Sequence, residues 1–359
     1  SWRWIFYINV PVGLLSLYLT NRIVEDPPYM KTEQEKTLRN PIDYMGLGLI
    51  AVGIGCLQYV LDKGQEEDWF SSKKIIVLLT ISICALIWFA INEWTHAYPI
   101  MDLQLMRSRN FATSAFMMFI LGMVLFGTTV LIPQFLQVLM GYTAEQSGKA
   151  LSSGAVVLIF MMPIVGQLIS RVDPRLLIAT GFTATSLALF HMTTINTQIN
   201  FGTAAMYRVY QTVGLAFLFI PISTLAYMGI PRHKSNQVAG MNNFMRNLGG
   251  SIGISMLSTG LQRLSQKHQV YLSAHATAYN PAFTQRITGL TQTFTAQGIP
   301  SNEANARAYS IVSRTIGGQS AVLAYVDIIS VGAVVIMCLV PLVFIMQRPP
   351  KNAAPVAAH

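Results

Sequence analysis

Charge is what this sequence has least of. Only 11% of its 359 residues are Asp, Glu, Lys or Arg, against about 25% in a soluble domain. A chain so poor in charge is not a water-soluble globule. Cysteine is nearly absent too. Cys56, Cys84 and Cys338 each lie within an apolar run, without metal-ligand spacing, and read as small core residues. Neither the H-E-x-x-H string nor the P-loop string occurs, so no zinc peptidase and no ATP-driven pump is indicated. Nothing in the pattern calls for a cofactor or a metal. No repeat of 20 to 50 residues is visible, and continuous apolar runs take the place of the short alternating strands of a β-barrel.

Apolar residues are abundant: 52% of the chain is hydrophobic, the mean hydropathy is +0.46 and there are 18 Met. A spanning helix needs roughly 20 predominantly apolar residues. Nine stretches qualify: 4–20, 43–61, 75–94, 111–138, 149–170, 176–194, 203–229, 237–261 and 321–346. The fold class read from them is an all-α polytopic membrane protein with about nine spans. Some stretches exceed a bare span, which implies tilt or extension beyond the bilayer. Pro11, Pro133, Pro163, Pro221 and Pro341 fall inside them, where neighbouring helices can satisfy the freed backbone groups.

Lys and Arg in alternate short loops set the orientation. One set holds Arg22, Lys31, Lys36, Arg39, Arg107, Arg109, Arg171, Arg175, Arg232, Lys234, Arg348 and Lys351; the other holds Arg3, Lys63, Lys73, Lys74, Lys149 and Arg208. The richer set is expected in the cytoplasm. The first residue then lies in the periplasm and the C-terminus in the cytoplasm. The net charge of +9 mostly reflects these inner loops, and no nucleic-acid partner is read from it. Segment 262–320 is rich in Gln, Thr, Ser and Ala. It is expected to be a long periplasmic loop, although Leu261 to His275 has the length to continue the preceding helix.

Charges within spans default to functional hypotheses. Asp327 precedes an uncharged run of roughly 19 residues, long enough to cross a bilayer nearly unaided, and therefore can sit at the outer interface. Arg208 has the same option, and Asp43 reads as a helix-start residue. Arg246 differs, because the uncharged stretch behind it is only about 15 residues, too short to span. Its helix must begin earlier, near Asn236, which puts Arg246 near mid-depth. At helical spacing its face also holds Asn242, Asn243, Gly249, Gly250 and Gly253, and Gly249 and Gly253 form a G-x-x-x-G pair that permits close helix approach. Three readings stay open for Arg246: a structural group satisfied by carbonyls or a carboxylate of another helix, a part in conformational switching or proton coupling, or snorkelling to the inner surface. Gln134, Gln137 and Gln211, with Gln58, Tyr207, Thr212 and Asn9, either line a cavity or hydrogen-bond between helices.

Gly249-Gly250-Ser251-Ile252-Gly253 fits G-x-S-x-G. A hydrolase elbow needs a strand before it and His and acid partners, whereas this string falls in mid-helix. An intramembrane serine hydrolase is thus a remote alternative and the chain is not read as an enzyme.

Several strings together carry a resemblance. They are Trp2-Arg3-Trp4-Ile5-Phe6-Tyr7-Ile8-Asn9-Val10-Pro11-Val12, Asp43-Tyr44-Met45-Gly46-Leu47 with Leu57-Gln58 and Gly64-Gln65…Asp68-Trp69-Phe70, Pro99-Ile100-Met101-Asp102-Leu103…Arg109-Asn110-Phe111, Pro133-Gln134-Phe135-Leu136-Gln137…Gly141-Tyr142-Thr143-Ala144, and Ala239-Gly240…Asn243…Arg246-Asn247-Leu248-Gly249-Gly250-Ser251-Ile252-Gly253. They are similar to the EmrB/QacA-type drug–proton antiporters, the fourteen-helix branch of the major facilitator superfamily. The first string looks like the opening of that family's sixth helix, which implies a fragment with about five helices before it. The implied organisation is the last helix of the N-terminal bundle (1–20), a cytoplasmic linker with two extra central helices (21–94), five helices of the C-terminal bundle (95–261), the periplasmic loop (262–320), the last helix (321–346) and a cytoplasmic tail (347–359).

Gly166 to Arg175 resembles the superfamily's cytoplasmic signature. Ser170 stands where the usual acid would be, while Gly166, Arg171 and Arg175 remain. The family's proton-coupling acid belongs to the first five helices, so none is carried over. The resemblance implies proton-coupled export of amphipathic, often cationic or lipophilic drugs across a bacterial inner membrane, with this fragment inactive alone. In double-membrane bacteria it also implies a periplasmic adaptor (a membrane fusion protein) and an outer-membrane channel as partners. A non-transporting scaffold or channel-like protein is the alternative.

The orientation is testable. With Cys56, Cys84 and Cys338 replaced by Ala, a Cys at Ser301 is expected to react with an impermeant maleimide added outside the inner membrane. Labelling only after that membrane is permeabilised would reverse the topology.

Overall fold

The computed structural model describes residues 3–23, 43–96, 98–231 and 234–347. Trp2, most of the linker expected over 21–42, Arg232 and the tail beyond 347 lie outside them. Among the described residues there is no strand. The helices are α1 (Trp4–Tyr7), α2 (Asn9–Ile23), α3 (Tyr44–Lys63), α4 (Lys73–Thr95), α5 (Arg109–Gln134), α6 (Ala144–Leu168), α7 (Pro174–Met192), α8 (Phe201–Ala226), α9 (Ser235–Ala274), α10 (Pro281–Ala296) and α11 (Ser301–Val343).

Local chemistry sets many of the boundaries. Thr143 and Gln146 form a reciprocal capping box that starts α6. Asp173 caps α7 with Pro174 in its first turn, and Asn200 caps α8. Pro133 has no N–H to give the ladder, and the backbone widens directly after it into a π turn over Phe135–Leu139.

About nine spans were expected, and among the described residues seven helices are long and apolar enough to cross a membrane: α3, α4, α5 with its π turn, α6, α7, α8 and α11. The other two stretches are not among them, for different reasons. Residues 4–23 are split at Ile8 into α1 and α2, and α2 is only 15 residues long. The stretch in α9 carries Asn242, Asn243, Arg246 and Asn247 and is too polar by composition.

Helices α5, α7, α8, α9 and α11 pack around a shared core in which Phe135, Phe182, Leu215, Ile222, Ile329 and Ile336 are fully buried or nearly so. Helix α6 packs on α8, and α3 pairs with α4. Hydroxyl groups tie helices across: Ser186 Oγ of α7 donates to Ala333 O of α11 at 2.8 Å, and Ser82 Oγ of α4 to Gly53 O of α3 at 2.7 Å.

Segment 262–320 departs from the expected loop: it is helical over most of its length. Helix α9 runs unbroken for 40 residues and α11 for 43. At ~1.5 Å per residue each is about 60 Å or more, roughly twice the ~30 Å hydrocarbon core. Helix α10 packs on the first part of α11, where Ala304 and Ala308 are fully buried and Ile287 nearly so. Alanine is the strongest helix former and lets helices approach closely, but adds little hydropathy. Asn280 caps α10 ahead of Pro281, and Gly298, at φ +87°, allows the turn into α11.

The tightest packing joins α5 to α9. A Cβ on Gly122 would lie 2.0 Å from the carbonyl oxygen of Arg246, one on Gly249 2.0 Å from that of Phe119, and one on Gly253 2.7 Å from Met123 Cα. These are backbone contacts that no rotamer change relieves. Gly122→Ala is therefore expected to lower the melting temperature of the detergent-purified protein, by an overpacking cost of about 1–3 kcal/mol. Gly240→Ala on α9, with nothing within 4 Å of the added carbon, should be neutral or slightly stabilising. Equal melting of the two variants would show that the seam has slack.

Candidate functional site

Two groups of the polar residues marked in the sequence assemble inside the bundle. The first centres on Arg208, the eighth residue of α8 and only 8% exposed. Its Nη1 donates to Gln211 Oε1 at 2.8 Å and to Thr128 Oγ1 at 3.2 Å, and its Nη2 donates to Thr129 Oγ1 at 3.0 Å. The fully buried Gln211 returns Nε2 to Thr128 Oγ1 at 2.9 Å. Both threonines spend their hydroxyl hydrogens on their own helix: Thr128 on Val124 O and Thr129 on Leu125 O, each at 2.6 Å. Their lone pairs are thereby turned to the guanidinium. Gly154 of α6 makes room for its stem, since a Cβ there would fall 2.8 Å from Arg208 Cγ. Arg208 makes no ion pair among the described residues.

The second group lies on the face of α9 toward α5. Asn242, Gly249, Gly250 and Gly253 are buried, and Arg246 is half-buried. Arg246 Nε and Asn242 Oδ1 are both buried without a partner among the described residues. The carboxylate partner considered for Arg246 is not present there. Asn243, expected on the same face, is exposed instead: it lies about 100° around the helix from the buried Asn242.

The remaining candidates are dispersed. Gln134 is exposed and lines a narrow cleft between α5 and α9 with Leu257 and Ser258, and Gln137 is exposed in the π turn. Asp327 of α11 meets His268 of α9, Oδ2 to Nε2 at 2.7 Å. Arg175 is buried and its Nη1 donates to Met346 O at 2.6 Å, anchoring the end of α11 to the start of α7. Gly166 and Arg171 are exposed. Ser251 lies in the middle of α9, with no strand–turn–helix elbow around it.

Sequence reading missed Thr128, Thr129 and Glu93 and did not pair His268 with Asp327. Thr128-Thr129 following Gly127 in an otherwise apolar helix was the available signal. Glu93 is 1% exposed near the end of α4; its Oε2 accepts from Met101 N at 3.0 Å and its Oε1 has no partner among the described residues. Asp43 caps α3 as expected. Its Oδ1 accepts from Gly46 N at 2.8 Å and its Oδ2 from Asn92 Nδ2 at 2.5 Å. Both carboxylates crowd Gly46, where a Cβ would lie 2.5 Å from Asp43 Oδ2 and 2.7 Å from Glu93 Oε1.

The Gly46 backbone donor holds the Asp43 carboxyl below its ordinary value of 3.8, with burial opposing it and Asn92 assisting. A carboxyl depressed by folding stabilises the fold above its unfolded pKa, and that stabilisation is lost as pH falls through the folded value. Wild-type protein is expected to lose melting temperature below about pH 4, and Asp43→Asn to flatten that loss. An unchanged acid limb in the variant would remove Asp43 as its source.

The model for the Major Facilitator Superfamily matches residues 1–254. The fatty acid resistance protein FarB of Neisseria gonorrhoeae is 32% identical over 97% of this chain and 66% of its own length. The multidrug export protein EmrB of Escherichia coli K12 is 30% identical over 98% of this chain and 66% of its own. The probable multidrug resistance protein EmrY of the same strain is 34% identical over 79% and 54%. The chain thus spans just under two thirds, or less, of the curated relatives it matches. With a multi-pass helical bundle, a glycine-seamed α5–α9 pair and a family model covering most of its length, this chain belongs to the Major Facilitator Superfamily, a family of membrane transporters rather than enzymes.

Proposed function

We propose that the protein containing this chain exports amphipathic or lipophilic compounds across a bacterial inner membrane in exchange for protons. The observation that carries the reading is the similarity to a multidrug export protein along 98% of the chain. Polar groups inside the bundle support it: Arg208 with Gln211 is buried and Arg246 with Asn242 at least half-buried among the helices, and charge inside a membrane bundle is by default a functional-site hypothesis. Substrate would bind near the bilayer midplane between two bundles, of which α5 to α11 form one. In this reading the N-terminal end of the chain is periplasmic and the C-terminal end cytoplasmic. The helical projection of α10 with the outer parts of α9 and α11 would then face the periplasm. Its exposed Val270, Tyr271, Tyr279 and Tyr309 suit contact with an adaptor that leads to an outer-membrane channel.

The test is proton-driven ethidium efflux in vesicles carrying the complete gene product. A proton gradient is expected to drive dye movement, and ethidium is expected to drain the gradient. A dye-independent gradient would count against exchange. Residues 1–359 expressed alone are expected not to transport, because alternating access needs an opposing bundle; gradient-driven efflux by that segment would overturn this.

Arg246 supplies the residue-level test. A central Arg costs about 2.5 to 3.5 kcal/mol on insertion. Arg246→Ala in the complete gene product is expected to abolish or strongly reduce efflux at equal membrane levels. Arg246→Lys should restore it only in part, since an ammonium lacks the planar donor fork. Full drug resistance in the Ala variant would make Arg246 a tolerated side chain.

A further inference from the structure

We propose that Glu93 and Asp43 form a proton-binding site where the end of α4 meets the start of α3, with the proton carried on Glu93 Oε1 and donated to Asp43 Oδ2. In purpose the site rests on the proton exchange proposed above; its test reads proton binding without transport.

Three observations carry it. The first is a buried oxygen without a donor. Glu93 is 1% exposed, and its Oε1 is buried with no partner among the described residues. An ionised carboxylate only accepts, so that oxygen would give up water and receive nothing in return. A carboxylic acid carries a hydrogen there and needs an acceptor instead.

The second is that an acceptor stands across from it. A Cβ on Gly46 would lie 2.7 Å from Glu93 Oε1 and 2.5 Å from Asp43 Oδ2. The two oxygens thus border one small space, kept open by a glycine. Asp43 is itself only 5% exposed. Two carboxylates that share such a space ionise together only at a cost, and one shared proton removes the repulsion.

The third is the unequal supply of donors. Asp43 receives Gly46 N on Oδ1 at 2.8 Å and Asn92 Nδ2 on Oδ2 at 2.5 Å. Glu93 receives Met101 N on Oε2 at 3.0 Å and nothing on Oε1. Hydrogen bonds to a carboxylate favour its charged form, so Asp43 is the carboxylate and Glu93 the acid. Neither group makes an ion pair among the described residues. The other titratable group acting on the pair is His96, just past α4, whose Nδ1 accepts from Tyr98 N at 3.2 Å. Asp102, in the segment ahead of α5, is engaged by Lys234, the residue before α9, at 2.5 Å.

Two facing oxygens suffice for a proton. A calcium ion takes roughly six to eight, and among the described residues no group of three His, Cys, Asp or Glu could hold a metal. The pair lies at the end expected in the cytoplasm, where an inward-moving proton leaves. Release passes the hydrogen from Glu93 to water and leaves two facing carboxylates, whose repulsion pushes the start of α3 from the end of α4.

The test is infrared titration of the complete gene product purified in detergent, with melting recorded in parallel. Wild-type protein is expected to show the carbonyl band of a protonated, hydrogen-bonded carboxyl at neutral pH, lost on alkalinisation. Glu93→Gln should remove that band. Asp43→Asn takes away the facing charge, so Glu93 should release its proton at about tenfold higher proton concentration. Gly46→Ala keeps both carboxyls but wedges a methyl between them, and should move the band to the frequency of a carboxyl without an acceptor. This variant keeps the inference testable if Glu93→Gln melts on purification.

Identical wild-type and Glu93→Gln spectra would overturn the site, as would a titration that Asp43→Asn leaves in place. Loss of the band on adding sodium chloride, but not choline chloride, at fixed pH would make it a metal-cation site and overturn the proton assignment. Ethidium efflux is scored separately: its absence would sink the export reading and leave the proton site standing, whereas intact efflux without the band would sink this inference alone.

Discussion

Helices α5 and α9 touch backbone to backbone. Gly122 lies under the Arg246 carbonyl, Gly249 under the Phe119 carbonyl and Gly253 against Met123 Cα. In a membrane, apolar side chains have no more reason to meet one another than to meet lipid, so association depends on close packing and buried polar contacts. The glycines supply the packing. They also determine what else can be placed there. With the two backbones this close, Arg246 and Asn242 are held beside α5 whether or not they find partners, and the threonines of α5 are presented to α8 on another face. The Arg208 cluster therefore depends on the seam that positions Thr128 and Thr129.

Arg208 and the half-buried Arg246 answer the same cost in different ways. Arg208 is wrapped by Thr128, Thr129 and Gln211, so its direction is fixed although its charge is not balanced. Arg246 keeps a buried Nε with no acceptor among the described residues, so neither its charge nor its direction is fixed by a partner. A rigid, oriented cation suits recognition. A cation lacking partners on a helix seated by small residues suits an element that exchanges partners between states. A division of this kind would serve the export proposed above, with one group to hold cargo and another to respond to movement.

The sequence made the spans legible because a bilayer imposes a length and a composition that few other contexts require. Helices α3 to α8 fall where the apolar runs lie. The capping residues Asp43, Thr143, Asp173 and Asn200 mark their starts for a local reason, the need of the first backbone donors for an acceptor. The G-x-x-x-G face of α9 was legible for a similar reason, since spacing alone puts Gly249 and Gly253 on one side. Other features were not. The projection over 262–320 is built from Ala304, Ala308 and Ile287, and small residues leave no apolar run to see. The partners of Arg208 stand about 80 positions away on α5, and a Thr-Thr pair in an apolar helix does not announce which helix it faces. Asn243 was placed with Arg246 because adjacent positions on a helical wheel are hard to assign without the partner helix. His268 and Asp327 were each readable as end-of-span residues, but their pairing needed both long helices.

Those two helices give the bundle a continuous connection from one end to the other. At the end expected in the cytoplasm, Arg175 holds Met346 O, Asn110 accepts from Gln347 N, and Lys234 pairs with Asp102 at 2.5 Å. These contacts fix the C-terminal end of α11 and the start of α9 to α5, α7 and the turn before α5. At the other end His268 and Asp327 pin α9 to α11 before both continue into the projection with α10. An unbroken helix transmits displacement along its axis better than a helix–loop–helix does, because no loop absorbs it. A shift of α9 along its glycine seam with α5 would therefore reach the projection through α9 itself, with α11 carried by the His268–Asp327 contact. The apolar core and the projection are in this way joined through both long helices, while the glycine seam holds α9 against α5.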